Sequence, residues 1–148
     1  MRLEITRATI DDLEALLPLV TAYRMFYQRD PDPPREREFI ERHLREDRSV
    51  VFLASDGDTA VGFVQIFQTY STVWLGPSLI LEDLFVTPEA RGSGAATKLI
   101  ERAEAYAREI RAVGMFLETA MDNTVAQRVY ERAGWTRENR FFKYNAKL

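Results

Sequence analysis

The densest chemistry in the chain lies between Leu84 and Lys98, where an apolar strand runs into a turn containing Gly92 and Gly94 and then into a helical pattern. Such a turn is an anion site. Amides from Gly92 to Ala96 carry little side-chain bulk and converge on a phosphate at the positive end of a helix. Among phosphate loops, a dinucleotide fingerprint needs a third glycine where Thr97 stands, and a P-loop needs glycine before Lys98 and Ser or Thr after it. Neither holds. An Arg-x-x-Gly-x-Ala pyrophosphate loop is satisfied by Arg91, Gly94 and Ala96. Just upstream, Glu82 and Asp83 interrupt the apolar run from Leu79 to Val86, and carboxylates in a strand fit for burial call for an explanation.

Composition narrows what those residues can do. The 148 residues form a single-domain length, expected as one domain over 1–148, and 46% hydrophobic with 29% charged residues excludes a disordered or fibrous chain. With no cysteine and one histidine, His43, thiolate catalysis, disulfides and the usual zinc sites are excluded, and no metal is expected. A net charge of −3 lacks the basic footprint of a nucleic-acid binder. A cationic partner fits better. No apolar stretch approaches the roughly 20 residues of a membrane span, and the start lacks a signal-peptide core, so no membrane contact and a cytoplasmic location are expected.

The elements that must position these residues follow from periodicity. Leu3-Glu4-Ile5 alternates as a strand, Thr9 and Asp12 resemble a capping box, and Leu13, Leu16, Leu17 and Val20 mark a helix reaching Tyr23, Phe26 and Tyr27. A second, highly charged surface helix carries Phe39, Ile40, His43 and Leu44. Residues 49–54 and 60–67 read as a hairpin turned at Asp56-Gly57, followed by a Tyr70 to Pro77 loop and a strand over 79–86. A long helix with Ala96, Leu99, Ile100 and Ala103 leads to a strand over 115–119. Asn123 caps a shorter helix ended by Gly134, and residues 140–144 are expected to close the chain as a strand. The order β-α-α-β-β-β-α-β-α-β is α/β with a mixed sheet.

With the loop set in the run Leu-Glu-Asp-Leu-Phe-Val-x-Pro-Glu-x-Arg-Gly-x-Gly, and with Asn123, Ala126, Tyr130, Gly134 and Trp135 spaced as in a second family motif, the chain resembles the GNAT superfamily of N-acetyltransferases. It looks closest to the small-amine and polyamine branch. The resemblance implies the GNAT fold: a mixed, mostly antiparallel sheet splayed at its centre and flanked by four helices. It also implies acetyl-CoA as acyl donor. Leu84, Phe85 and Val86 would offer backbone groups to the pantetheine arm, and Arg91, Gly92, Ser93, Gly94, Ala95, Ala96 and Thr97 would hold the pyrophosphate. Asn123, Ala126 and Tyr130 would complete the cofactor contacts. Arg132 reads equally as a 3′-phosphate contact and as an exposed salt-bridging residue.

Acetyl transfer from a thioester to an amine moves two protons, one lost by the ammonium and one gained by the departing thiolate. Under the resemblance, Tyr130 is the acid, and its phenol, with a reference pKa of about 10, suits a thiolate. Glu82 is the base. Successive strand residues point to opposite faces, so only one of Glu82 and Asp83 is expected to face the amine unless a bulge intervenes. Tyr23, Phe26, Tyr27, Asp30, Asp32 and Glu36 cluster where the resemblance implies an acceptor wall, and aromatics interleaved with carboxylates suit a cation. Trp74 is assigned either to that channel or to a dimer contact. His43, set among Glu41, Arg42, Arg45 and Glu46, reads as solvated and outside the site. Absence of cysteine favours direct attack on acetyl-CoA by a small primary amine in a ternary complex. The alternatives are a protein lysine or N-terminal acetyltransferase and a catalytically idle CoA-binding module. The apolar final segment and the small-amine resemblance motivate a homodimer.

Overall fold

Thr9 and Asp12 do close a capping box, the Thr9 hydroxyl accepting from the Asp11 amide at 3.3 Å and the Asp12 carboxylate from the Thr9 amide at 2.8 Å. In this computed structural model, which describes residues 1–148, the box starts a single 3-10 turn that leads into helix α1 (Leu13–Phe26). Helix α2 (Pro33–Arg45) begins at Asp32, whose carboxylate accepts from the Arg35 amide. Pro33 and Pro34 occupy the first turn, where no amide donor is required. The chain divides into two units, Met1–Glu118 and Thr119–Leu148. No helix is long and apolar enough to cross a membrane.

The first unit holds a five-stranded sheet in the order β1-β2-β3-β4-β5. Strands β1 (Leu3–Arg7), β2 (Val50–Asp56), β3 (Thr59–Ser71) and β4 (Gly76–Val86) pair antiparallel in sequence, and β5 (Gly114–Phe116) joins β4 in parallel. The expected hairpin turns at Gly57-Asp58, Gly57 supplying the left-handed φ of 59°. Side chains alternate across the sheet. Val51, Leu53, Phe63 and Phe85 join a buried cluster with Leu13, Leu16, Leu19, Val20 and Ile40 on the α1/α2 side. On the other face Phe52 meets the Tyr106 ring at 6.1 Å and the Arg102 guanidinium at 4.3 Å, beneath α3 (Ala95–Glu109) with its buried Leu99, Ile100 and Ala103. Each fully buried Leu, Ile or Phe contributes roughly 1.5–3 kcal/mol, so the two layers hold the sheet rigid beneath whatever β4 carries.

Two expectations are corrected. Half of the Tyr70 to Pro77 loop is strand: β3 runs to Ser71 and β4 starts at Gly76, so only residues 72–75 connect them. The pairing ladder Thr69↔Ser78, Tyr70↔Pro77 and Ser71↔Gly76 continues because its backbone groups find partners without regard to side-chain polarity. The strand expected over 140–144 does not form, and residues 135–148 carry neither helix nor strand. Phe141, Phe142 and Tyr144 are 78%, 87% and 91% exposed. An apolar segment supplies side chains for a sheet but not the neighbouring amides and carbonyls that make a strand.

Between α1 and α2, the Glu36 carboxylate is buried. It accepts from the Thr21 hydroxyl at 2.6 Å and the Asp32 amide at 3.2 Å, and it pairs with the Arg24 guanidinium. Burial pushes its pKa up, but the hydrogen bonds from Thr21, Arg24 and Asp32 and the Arg24 charge outweigh it, and the net shift is downward. A lowered folded-state pKa means that the stabilisation is complete above the ordinary carboxylate value of about 4.3 and is lost as pH falls through the folded value. Glu36→Gln should therefore cost about 2 kcal/mol at pH 7, a Tm drop of about 4–8 °C. The deficit should shrink by pH 3. An equal deficit at both pH values in thermal unfolding would assign the loss to packing instead of charge.

Candidate active site

The carboxylates of β4 owe their placement to a register shift. Gln65 pairs with Asp83 and Ile66 with Leu81, so Glu82 is an extra residue that the register skips. This is a bulge. It returns Ile80 to the face that carries Asp83 and Phe85, as the pairs Phe67↔Ile80, Gln65↔Asp83 and Phe63↔Phe85 require. In consequence both Glu82 and Asp83 line one cleft of about 760 Å³, floored by Phe63, Gln65, Phe67 and Ile80 and walled by side chains of α1 and α2. Strict alternation would have sent one carboxylate to the α3 side.

A chain of buried polar groups holds Asp83. The Ser49 hydroxyl donates to Gln65 Oε1 at 2.7 Å and Gln65 Nε2 donates to Asp83 Oδ2 at 2.7 Å. The reverse amide orientation would set an oxygen against the carboxylate, so Asp83 fixes which end of Gln65 faces it, and the Ser49 hydroxyl donates to the other. The Tyr23 phenol of α1 stands beside Asp83. Burial raises the Asp83 pKa, against the lowering effect of the Gln65 hydrogen bond, the Tyr23 phenol and the His43 charge. Burial, followed by the Asp83 charge, likewise pushes the Tyr23 phenol up, keeping it a proton donor. Ser49 and Gln65 are buried, and their signal in sequence is faint because single polar residues in strands are ordinarily surface positions.

Of the expected acceptor wall, Tyr23 lines the cleft, while Phe26 and Tyr27, 54% and 48% exposed, are not among its lining residues. Tyr27 instead packs edge-on against Tyr23 at 5.1 Å and Phe26 against Tyr27 at 5.3 Å. Asp32 and Glu36 line the cleft, Glu36 already engaged by Arg24. Trp74 is exposed in the β3–β4 connection. His43, expected to be solvated, is half-buried and lines the cleft beside Phe39. The burial of Ile40 turns the Phe39 and His43 positions of α2 toward β3, a rotation that the charged residues around His43 conceal.

Along β4, β5 pairs only with Ser78, Leu79 and Ile80, so from Leu81 to Val86 this edge has no neighbouring strand. Leu84, Phe85 and Val86 thus sit on a sheet edge able to bond an extended amide-bearing chain. Beyond it, Gly92 and Gly94 have φ of 79° and 90°, with open space where a Cβ would stand. These left-handed residues bend Arg91 to Gly94 into the start of α3. The Ser93 hydroxyl accepts from the Ala95 amide at 3.3 Å, and helix geometry leaves the Ala96 and Thr97 amides without intrahelical acceptors. The Arg91 side chain folds back onto the Val86 carbonyl at 3.4 Å.

The second unit carries Asn123, Ala126 and Tyr130 on α4 (Thr124–Arg132). Asn123 caps it, its side-chain oxygen accepting from the Ala126 amide at 3.2 Å. The end is a Schellman motif: Gly134, φ 93°, donates to the Glu131 carbonyl and Trp135 to the Tyr130 carbonyl, both at 3.0 Å. Its accompanying apolar contact is the Tyr130–Trp135 ring pair, 6.1 Å apart.

The Acetyltransferase (GNAT) family model matches residues 14–135. The uncharacterized N-acetyltransferase YhfO of Bacillus subtilis (strain 168) is 33% identical over 142 residues, covering 96% of this chain and 95% of the relative. Aminoglycoside N(6')-acetyltransferase type 1 of Acinetobacter genomosp. 13 is 28% identical over 110 residues, 70% of this chain and 75% of the relative. The crystal structure of a probable acetyltransferase superposes with a TM-score of 0.92 at 37% identity, covering 100% of this chain and 98% of that one.

Proposed function

Because this chain belongs to the GNAT family of acetyltransferases, an enzyme class with the mixed, splayed sheet described above, we propose that it transfers acetyl from acetyl-CoA to a small primary amine. The observation that carries this reading is the bulge, which puts Glu82 and Asp83 together in a cleft of about 760 Å³, within the volume range of small-ligand sites. Two carboxylates beside Tyr23, Phe39 and Phe67 suit an ammonium group. The similarity to an aminoglycoside acetyltransferase supports a small-amine acceptor. In this reading Glu82 takes the ammonium proton, directly or through water, and the freed nitrogen attacks the thioester carbonyl. Tyr130 protonates the thiolate as the carbon–sulfur bond breaks, and the second proton shed by the acylated nitrogen restores the phenol.

For the donor, the free edge at Leu84, Phe85 and Val86 takes the pantetheine amides. The first-turn amides from Arg91 to Thr97 take the pyrophosphate at the positive helix end, and Asn123 and Ala126 contribute from α4. The positive φ values of Gly92 and Gly94 support this assignment, since a left-handed turn aims successive amides to one side. Gly94→Ala meets no neighbour and adds no charge, yet it disfavours the left-handed backbone by about 1–2 kcal/mol, so the free loop leaves that conformation and CoA must restore it. CoA affinity should therefore fall about tenfold in calorimetry, and undiminished affinity in the folded variant would move the pyrophosphate elsewhere.

A panel of polyamines, aminoglycosides, amino acids and peptides, assayed for thiol release from acetyl-CoA, tests the whole reading. Release with small primary amines is expected. Release with peptides alone would make the acceptor a protein, and CoA binding without release from any amine would make the chain a binding module.

A further inference from the structure

We propose that His43, the single histidine of the chain, carries the acceptor's proton from the cleft floor to solvent. The inference rests on the amine-acetylation reading above. Converting an ammonium and a thioester into an amide, a thiol and a free proton leaves one proton per turnover to be expelled. The N–H bond of the ammonium breaks toward the carboxylate at Glu82, and that carboxyl then gives the proton to the lone pair of the His43 ring, which releases it to water. An imidazole lining the same cleft is a side chain able to accept that proton and release it to water.

The geometry supports this role for His43. Nδ1 lies 2.7 Å from the Phe39 carbonyl oxygen, which only accepts, so Nδ1 bears the hydrogen and the neutral ring keeps its lone pair on Nε2. The ring is clamped by Phe39, centroids 4.1 Å apart, and by the edge of Phe67 at 5.6 Å. A merely solvated histidine needs no such clamp. Around the cleft it shares, Glu38 and Arg42 stand on α2, Arg48 follows α2, Tyr23 and Arg24 come from α1, and Glu82 and Asp83 come from β4. Asp83 is held by Gln65. Glu82, on the bulge, is the more exposed carboxylate.

Because the chain has one histidine, nitrogen-15 NMR reads this ring without ambiguity. The free protein should show the Nδ1–H tautomer, and an Nε2–H tautomer would overturn the proposal. With the amine turned over fastest in the panel, His43→Phe should keep CoA affinity in calorimetry. It should lose about tenfold in kcat/KM at pH 7, less than a direct proton donor because water partly replaces a relay. The loss should fade at alkaline pH, where the amine is already free, and added imidazole should restore rate to His43→Ala. Normal turnover in His43→Phe, or a loss that neither pH nor imidazole relieves, would defeat the inference while leaving amine acetylation intact. Thiol release with no amine at all would remove the reading beneath it.

Discussion

Turnover of a Tyr130→Phe enzyme is expected to fall on the order of 10²-fold with CoA affinity unchanged, the signature of losing a proton donor used only in the transition state. The substitution isolates chemistry from folding. In the second unit the Tyr130 carbonyl accepts from the Trp135 amide at 3.0 Å, and its ring stands 6.1 Å from that of Trp135. Both survive in phenylalanine, so α4 and its Schellman end should persist. Thiol release under single-turnover conditions, with affinity measured by calorimetry, checks both parts. Full turnover in an assay limited by chemistry would reduce Tyr130 to packing.

The second large effect is expected from Glu82→Gln, a loss of about 10²- to 10³-fold near neutral pH that recovers in part as pH rises. The sign follows from the acceptor. An amine with an ordinary ammonium pKa of about 10 is almost wholly protonated at pH 7, so losing the proton acceptor is most damaging there. At alkaline pH the free amine enters directly. The bulge makes the isosteric change tolerable: the register skips Glu82, so its replacement leaves the ladder bonds of Gln65, Asp83 and Leu81 in place. A kcat/KM profile whose deficit is constant across pH would recast Glu82 as a substrate-positioning group, and an unchanged profile would remove it from the reaction.

What was legible in the sequence shares one property: its partners lie within a few residues. The Thr9–Asp12 box, the Asn123 cap, the Gly134 stop and the left-handed Gly94 before α3 each close hydrogen bonds or satisfy φ locally. Residue type and spacing therefore determine them. The family pattern around Arg91 and Tyr130 is legible for the same reason, since a glycine turn and a capped helix are local devices.

Tertiary structure decided the rest, because register and burial are settled by partners distant in sequence. Whether Asp83 shares a face with Ile80 depends on a ladder to residues 65–67, and one extra residue there reverses the alternation expected of β4. Nothing near His43 announces that the burial of Ile40 turns α2 so that the imidazole meets Phe67. Glu36, one of several acids on a charged helix, is buried only because Thr21 and Arg24 of α1 satisfy it. Residues 140–144 show the converse: they carry the apolar content of a strand and form none, because a strand is defined by the neighbour it bonds, and a neighbour is not written in the segment's own residues.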